Sequence, residues 1–260
     1  MACAYCDGPG PYSRDHTWPE CFLNRTGRTA AHFSVKARKV HGADYVVNDV
    51  CEACNSGPLS EVDTYFCQLY DDYLHDLRDF EATVKFKYDP DLLCRGLLKI
   101  SYNAARVAGS ITEPFQPVRP FILGRVDPPA QLAWFVEVVS PSIIVNMGDP
   151  VRRTKVLPQM YRAAISQYLK PGGERLLTRV VAVNSFYFHV LLPKEPMEDA
   201  AFEAIAADFG RSIEGLVRLG RAWPVVTLRT SPQDGLRSFM PHLQAYRDQY
   251  EQFFFRRRRK

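Results

Sequence analysis

Two short stretches decide the fold of the N-terminal part of this chain: residues 3–6 read CAYC and residues 48–55 read NDVCEACN. Each stretch carries a C-x-x-C pair, and a long insertion separates the two pairs. A C-x-x-C turn presents two thiolates to one ion, and four thiolates complete the tetrahedral ligand set of a structural zinc ion. The spacing therefore predicts one zinc site with four ligands, Cys3, Cys6, Cys51 and Cys54.

The other cysteines form no second pair of this kind. The chain has 7 cysteines, an odd number, and its N-terminus lacks the pattern of a signal peptide, so we expect a reducing compartment and no disulfide framework. The alternative is a redox-active C-x-x-C pair. Such a pair follows a strand, and Cys3 lies too near the N-terminus for a strand to precede it. We expect Cys21, Cys67 and Cys94 to be small buried hydrophobic residues.

A second group of polar residues lies close to the cysteine pairs in sequence. Residues 13–19 read SRDHTWP, in which Asp15 is a hard oxygen ligand and His16 is a base that works near neutral pH. Asn48 and Asn55 flank the second pair and offer amide groups. Taken singly, these residues are explained as well by turns or helix caps. A zinc ion that clamps the two pairs together would bring all of them into one place, as a metal site facing a general base.

In this order and spacing the residues resemble the motifs of the zinc-stapled HNH (ββα-metal) endonucleases. That family reads C-x-x-C, then D-H-x-x-P, then N-x-x-C-x-x-C-N, and the chain matches it at Cys3 and Cys6, at 15–19 and at 48–55. The resemblance covers roughly residues 1–75. It implies hydrolysis of DNA phosphodiester bonds and one catalytic divalent ion, Mg²⁺ or Mn²⁺, beside the structural zinc.

The resemblance also implies a role for each matched residue. His16 corresponds to the general base, and Asp15 and Asn55 correspond to the ligands of the divalent ion. Asn48 corresponds to the residue that positions the loop of the base. Arg14 is the basic residue that we expect to contact a substrate phosphate, because it lies next to Asp15. Stand-alone nucleases of this kind often act in conflict between bacteria and phages, which suggests a role in antiviral defence.

The whole chain is expected to be an α+β protein, with an N-terminal zinc-stapled ββα-metal module followed by an α+β domain. We divide it into an HNH nuclease domain at residues 1–78, a helical connector at 79–120 and a C-terminal α+β domain at 121–260. The C-terminal domain has no glycine-rich phosphate loop and no further C-x-x-C pair. We therefore expect it to bind a protein partner or a second copy of the chain.

Periodic patterns predict the secondary structure of these parts. Apolar residues recur with a helical period over 59–79, 91–108 and 200–218, and the three prolines of 111–120 predict a linker. Asn184 and Ser185 predict a hairpin turn. Runs of β-branched and aromatic residues predict strands at 121–123, 133–139, 143–147, 179–183, 186–192 and 222–228, and a C-terminal helix is predicted at 241–255.

Positive charge is concentrated at the C-terminus. The formal net charge is +4 at pH 7, and residues 256–260 read RRRRK, so the rest of the chain is close to neutral. A strongly basic nucleic-acid-binding body is therefore excluded, whereas a local basic cleft or the tail is not. No apolar run is long enough for a membrane helix, so we expect a cytoplasmic protein without a membrane partner.

Three functions stay open on these residues. The first is a metal-dependent endonuclease that cuts DNA, and the second is a nuclease with the same site that cuts RNA. The third is a non-catalytic zinc-dependent module that binds nucleic acid or protein, in which Asp15 and His16 are loop residues. A divalent ion bound next to His16, in addition to zinc, would separate the third function from the other two.

Overall fold

The structure is a computed structural model that describes residues 2–26, 31–34, 39–42, 46–146, 149–156, 161–166 and 168–231. The chain combines helices and sheets in one α+β fold, as the sequence predicts. The predicted C-terminal helix at 241–255 and the basic tail at 256–260 lie outside the described residues.

The N-terminal part is built on two strands and the helical segment that follows them. Its first elements are β1 (Tyr12–His16), α1 (Glu20–Arg25), β2 (Ala31–Ser34), β3 (Lys39–Gly42) and β4 (Val46–Cys51). β1 pairs antiparallel with β4, and β2 pairs antiparallel with β3. The helical segment that follows consists of α2 (Glu52–Cys54), a π-helical turn (Asn55–Leu59), α3 (Ser60–Leu69) and a second π-helical turn (Tyr70–Leu74).

Local sequence explains the course of this helical segment. Gly57 leaves the helical region of backbone space, and Pro58 has no N–H to donate, so the chain bends between α2 and α3. Val62, Phe66 and Leu69 recur at helical spacing and are buried. The helix predicted over 59–79 is therefore present, but it ends at Leu74.

Strand β5 (Thr83–Lys87) leads into the long helix α4 (Pro90–Ala108), which lies where the sequence predicts a helix. Asp89 caps its start, because its Oδ1 accepts hydrogen bonds from the N–H groups of Asp91 at 3.0 Å and Leu92 at 2.9 Å. Gly109 ends it at φ 63°, a conformation that favours glycine. α4 contacts α3 and β4 on one side and β9 and β10 of the large sheet on another.

The segment after α4 differs from its prediction. Residues 111–120, expected as a linker, include a 3₁₀ turn at Glu113–Val118, and the strand predicted at 121–123 is wrong because α5 (Arg119–Ile122) occupies it. Phe121 and Ile122 are buried in this short helix. A short buried apolar run has the same pattern in a helix as in a strand, which is why the sequence misleads here.

A seven-stranded sheet forms the C-terminal part, with strand order β5-β13-β6-β11-β10-β9 and β12 paired to β6. β13 runs parallel to β6, and the other neighbours are antiparallel. The remaining strands are β6 (Ala133–Val139), β7 (Ser142–Asn146), β8 (Asp149–Val156), β9 (Tyr161–Ser166), β10 (Leu176–Val183), β11 (Phe186–Pro193), β12 (Val217–Leu219) and β13 (Val225–Ser231). β7 and β8 form a separate two-stranded pair.

Most of the strand predictions in this part are confirmed. Val183 pairs with Phe186, so Asn184 and Ser185 form the predicted two-residue turn, with Asn184 at φ 47°. The helix predicted at 200–218 is only partly right, because α6 (Asp199–Ser212) stops early and β12 follows it. β8 and β9 were not predicted.

The sheet is covered on both faces. Apolar residues of one face, such as Val136, Phe188 and Val181, belong to the main core together with α4 and the N-terminal part. Phe135 and Leu191 of the other face pack against α6. The division at residues 78 and 120 stays a prediction, but two elements of the expected connector have clear places: β5 joins this sheet, and α4 contacts both parts.

One cysteine prediction is wrong. Cys21 of α1 and Cys67 of α3 form a disulfide, with their Cα atoms 6.4 Å apart. The sequence could not indicate this pair, because it depends on the two helices lying side by side. Cys94 is a free buried cysteine, as predicted.

A membrane-spanning helix is not found in the described part of the chain, where every helix is too short or too polar to cross a bilayer.

Candidate metal centre and active site

The four cysteines of the two C-x-x-C pairs form one cluster. The Sγ atoms of Cys3, Cys6, Cys51 and Cys54 all lie within 4.8 Å of one another. The Sγ atoms of Cys6 and Cys51 are 3.7 Å apart. Zinc–sulfur bonds of about 2.3 Å in a tetrahedron place sulfur atoms roughly 3.8 Å apart, so the cluster fits a single metal ion such as zinc.

Backbone hydrogen bonds shape the first turn of the cluster. The N–H of Cys3 donates to the carbonyl of Gly8 at 2.8 Å, and the N–H of Asp7 donates to the carbonyl of Cys3 at 2.9 Å. The N–H of Cys51 donates to Cys3 Sγ at 3.3 Å. Burial raises the pKa of the Cys3 thiol, but hydrogen bonds from backbone N–H groups, first that of Cys51, outweigh it and bring the pKa to about 7. The Cys3 thiolate is therefore readily available as a ligand.

The pairing of β1 with β4 sends two neighbouring side chains in different directions. Asp15 lies opposite Val47 and His16 lies opposite Val46. Because successive side chains of a strand point to opposite faces, Asp15 turns into the interior, where it is 2% exposed, and His16 is only half-buried. Asn48, two residues after Val46, is exposed.

Asp15 is held by two side chains of α4. Lys99 Nζ lies 2.9 Å from Asp15 Oδ1, and Asn103 Nδ2 donates to Asp15 Oδ2 at 2.7 Å. Lys99 is fully buried. Both oxygens of the carboxylate are therefore used within the protein.

Lys99 also binds a second carboxylate. Its Nζ lies 2.7 Å from both oxygens of Asp63 on α3. Burial alone would lower the pKa of Lys99, but the charges of Asp63 and Asp15 raise it above its ordinary value. Burial raises the pKa of Asp63, and Asp15 adds to the rise, while Lys99 and His16 oppose it. One ammonium is thus shared between two carboxylates.

Further polar groups fix Asn103 in place. Its Oδ1 accepts hydrogen bonds from the Tyr5 hydroxyl and from Arg106 Nη1, both at 2.9 Å. Arg106 also forms an ion pair with Asp49 of β4. Lys99, Asn103 and Arg106 follow one another at helical spacing, so one face of α4 carries this whole network.

Asn55 ties the start of the helical segment to β1. Its side-chain nitrogen donates to Ser13 Oγ and to the backbone carbonyl of Arg14, both at 2.9 Å. The Arg14 side chain is exposed. Asn55 therefore lies beside β1, and its amide nitrogen makes a structural contact there. Its role as a metal ligand stays a prediction.

The structure brings some of the predicted residues together and leaves others apart. Asp15, His16 and Asn55 gather at the β1–helix junction, whereas Asn48 stays on the exposed side of β4. Asp15 and Asn55 do not present an open pair of oxygens to a divalent ion, because Asp15 is buried and each of its oxygens is held by a side chain of α4, Lys99 or Asn103. With Lys99 in place, the arrangement does not fit the ion that the resemblance implies.

The roles of Lys99, Asn103 and Asp63 were not identified from the sequence. Their contacts with Asp15 join residues far apart in the chain, which local patterns do not reveal. One signal was present: Lys99 and Asn103 lie next to the inward apolar positions of α4, where a solvated side chain has no room.

Compared with family models, with curated proteins and with solved structures, the chain matches none.

Proposed function

We propose that the protein is an endonuclease that hydrolyses phosphodiester bonds of DNA, with His16 as its general base. The observation that supports the proposal is the four-thiol cluster next to the paired strands β1 and β4, with His16 at the end of β1. We propose zinc as the metal of this cluster, because four sulfur ligands at tetrahedral spacing are its preferred structural site.

His16 is suited to accept a proton. Its imidazole is half-buried, and no hydrogen bond to another described residue engages it. An imidazole works near neutral pH, where it can take a proton from an attacking water molecule. The exposed guanidinium of Arg14, two residues earlier, would contact a phosphate of the substrate backbone.

A divalent ion such as Mg²⁺ or Mn²⁺ supplies positive charge to the phosphoryl and leaving oxygens when one is bound in a nuclease. Since both oxygens of Asp15 are occupied, we derive no step through such an ion on Asp15 and Asn55. The proposal for this chain therefore depends on the thiol cluster and on His16.

A cleavage assay tests the function. Supercoiled plasmid is incubated with the protein and Mg²⁺ or Mn²⁺, and nicked or linear products are expected. His16→Ala should abolish cleavage while the melting temperature and zinc content stay unchanged, because the imidazole makes no described hydrogen bond. His75→Ala, which alters an exposed histidine immediately after the second π-helical turn, is the matched control and should cleave normally.

Equal cleavage by wild type and His16→Ala would reject His16 as the base. Inactivity of both proteins over a panel of duplex DNA, single-stranded DNA and RNA would reject the nuclease. Cleavage of RNA alone would keep the mechanism and change the substrate class. A role in antiviral defence would add to the proposal if cells carrying the wild-type chain, and not His16→Ala, resisted phage.

A second function is favoured by one observation. Lys99 pairs with both Asp15 and Asp63 in the interior, as the cation of a purely structural network would. The alternative is therefore a zinc-dependent module that binds nucleic acid or protein without cutting. Stable binding of DNA by both wild type and His16→Ala, without products, would favour it.

A further inference from the structure

Three carboxylate oxygens converge on a single point between β1, α3 and α4. Asp15 Oδ1 lies 2.9 Å from Lys99 Nζ, and both oxygens of Asp63 lie 2.7 Å from the same atom. Two carboxylates that face each other across one position create a site for a cation. In this protein the cation at that position belongs to the chain.

The position is closed to solvent. The Lys99 side chain is 0% exposed and that of Asp15 is 2% exposed, while Asp63 is 22% exposed. A second cation cannot join the ammonium there, because two positive charges in a buried space repel each other strongly. Any ion that used these oxygens would therefore have to replace the ammonium.

Helix packing fixes the three groups at this spacing. Gly96 of α4 faces α3, and a Cβ at Gly96 would lie 3.3 Å from Val62 and 3.7 Å from Phe66. The two helices therefore approach closely at Gly96, close in sequence to Lys99, and this approach brings Asp63 within reach of the ammonium. Asn103, in the next turn, holds the other oxygen of Asp15.

The distances suit an ammonium better than a metal. Nitrogen–oxygen contacts of 2.7–2.9 Å are those of charge-assisted hydrogen bonds, whereas Mg²⁺ takes oxygens at about 2.0–2.1 Å in an octahedral shell that retains water. With the Lys99 side chain in place, the buried position between the two carboxylates leaves no room for such a shell. The distances at this position therefore suit the ammonium of Lys99.

We propose that Lys99 is the resident cation of this site and stands in the place of a divalent ion on Asp15. Asp15 is then a positioning residue that anchors β1 to α4, and it is not a metal ligand. The inference rests on the proposed function where it concerns catalysis: a divalent ion used by the nuclease must bind to other groups, on the exposed side where His16 and Arg14 lie.

The first experiment uses the wild-type protein without nucleic acid. Nuclear magnetic resonance of lysine ammonium groups should show a Lys99 signal that exchanges slowly with water, assigned by its absence in Lys99→Arg. Excess Mg²⁺ should leave this signal in place, because the ion does not displace the lysine. Loss of the signal on addition of Mg²⁺ would overturn the inference.

The second experiment removes the resident cation. Lys99→Met leaves the two carboxylates without a counter-charge, so it should bind Mn²⁺ at least tenfold more tightly than wild type, as measured by electron paramagnetic resonance. Lys99→Arg, which keeps the positive charge, should show no gain in affinity for Mn²⁺. Adding Asp63→Asn to Lys99→Met should remove the gain that Lys99→Met shows alone. Equal zinc content and equal circular dichroism verify that each variant is folded.

A folded Lys99→Met that gains no affinity for Mn²⁺ would overturn the inference. If Lys99→Met does not fold, the resonance experiment on wild type decides alone. The plasmid assay is separate: an inactive protein whose Lys99 signal resists Mg²⁺ would reject the nuclease and keep the inference. An active protein whose Lys99 signal is lost with Mg²⁺ would support the nuclease and overturn the inference about Lys99.

Discussion

The N-terminal part and the seven-stranded sheet reach stability by different means. Every residue of β6 and β10 is buried, and most of them are apolar. In β1, by contrast, only Asp15 is buried, and its partners are charged or polar. The sheet is held mainly by apolar area removed from water. The N-terminal part also contributes buried apolar residues to the main core, and it adds four clustered thiols, one disulfide and an ammonium shared by two carboxylates.

The two parts are therefore vulnerable to different substitutions. A well-packed apolar core tolerates the loss of one contact at a cost set by the size of the cavity. A short region that depends on a metal and a few buried charges loses much of its stability when one of these is removed.

Removal of one cluster thiol should unfold the N-terminal part. Structural zinc contributes folding free energy on the order of 10 kcal/mol in small zinc domains, so Cys51→Ser should lose zinc and the amide protection of β1 and β4. The β10–β11 hairpin should keep its protection in hydrogen exchange. Cys94→Ala, a buried cysteine outside the cluster, is the control and should retain full zinc content. If Cys51→Ser melts like wild type, the cluster is not a structural metal site.

Cavity formation in the sheet should give the next largest effect. Phe188 of β11 is fully buried in the main core, so Phe188→Ala should lower the free energy of unfolding by about 3–5 kcal/mol. Zinc content should stay at the wild-type value. Phe80→Ala, at a residue that is 59% exposed, should change the free energy by less than about 0.5 kcal/mol. Equal effects of the two substitutions, in urea unfolding, would contradict the described core.

Reduction of the disulfide should have a smaller effect on the N-terminal part. A bridge between Cys21 and Cys67 closes a long loop, and its loss should lower the free energy of unfolding by about 2–4 kcal/mol. Mass spectrometry after alkylation, with and without reductant, shows whether the bridge forms. The double variant Cys21→Ala/Cys67→Ala should match the reduced protein and should not respond to reductant. A response in the double variant would locate the effect elsewhere.

Acid should weaken two surface ion pairs, with the smallest effect. Arg119 lowers the pKa of Asp7, and Arg25 lowers the pKa of Asp71, both from 3.8. The folded protein therefore binds fewer protons than the unfolded chain near pH 4, so the pairs stabilise it above that pH. This contribution is lost as the pH falls through the lowered pKa values. Asp71→Asn should flatten the pH dependence of urea unfolding slightly, and an unchanged profile would show that the Arg25 pair contributes nothing.

Local patterns were enough to predict the elements that local chemistry determines. The spacing of the two C-x-x-C pairs predicted the thiol cluster, the apolar period predicted α4, and Asn184 with Ser185 predicted the β10–β11 turn. The strand expected at 121–123 failed because a short buried apolar run fits two kinds of structure.

The candidate site was predictable only in part. Asp15, His16 and Asn55 are close in sequence to the two cysteine pairs, so the clustering of these pairs explains why the three residues lie near one another. Lys99 reaches Asp15 only because α4 packs against α3 and β4, and no pattern within either segment records that packing.

The contact between Lys99 of α4 and Asp15 of β1 limits how far the chain can be shortened in experiments. A fragment cut at residue 78 would contain every matched position between residues 3 and 55 but would lose Lys99 and Asn103, which hold Asp15. Both oxygens of Asp15 would then be exposed to solvent. Metal binding measured in such a fragment would be a result of the truncation and not a property of the whole chain. A fragment that keeps the contacts of Lys99 and Asn103 with Asp15 must include α4 and so extend at least through Ala108.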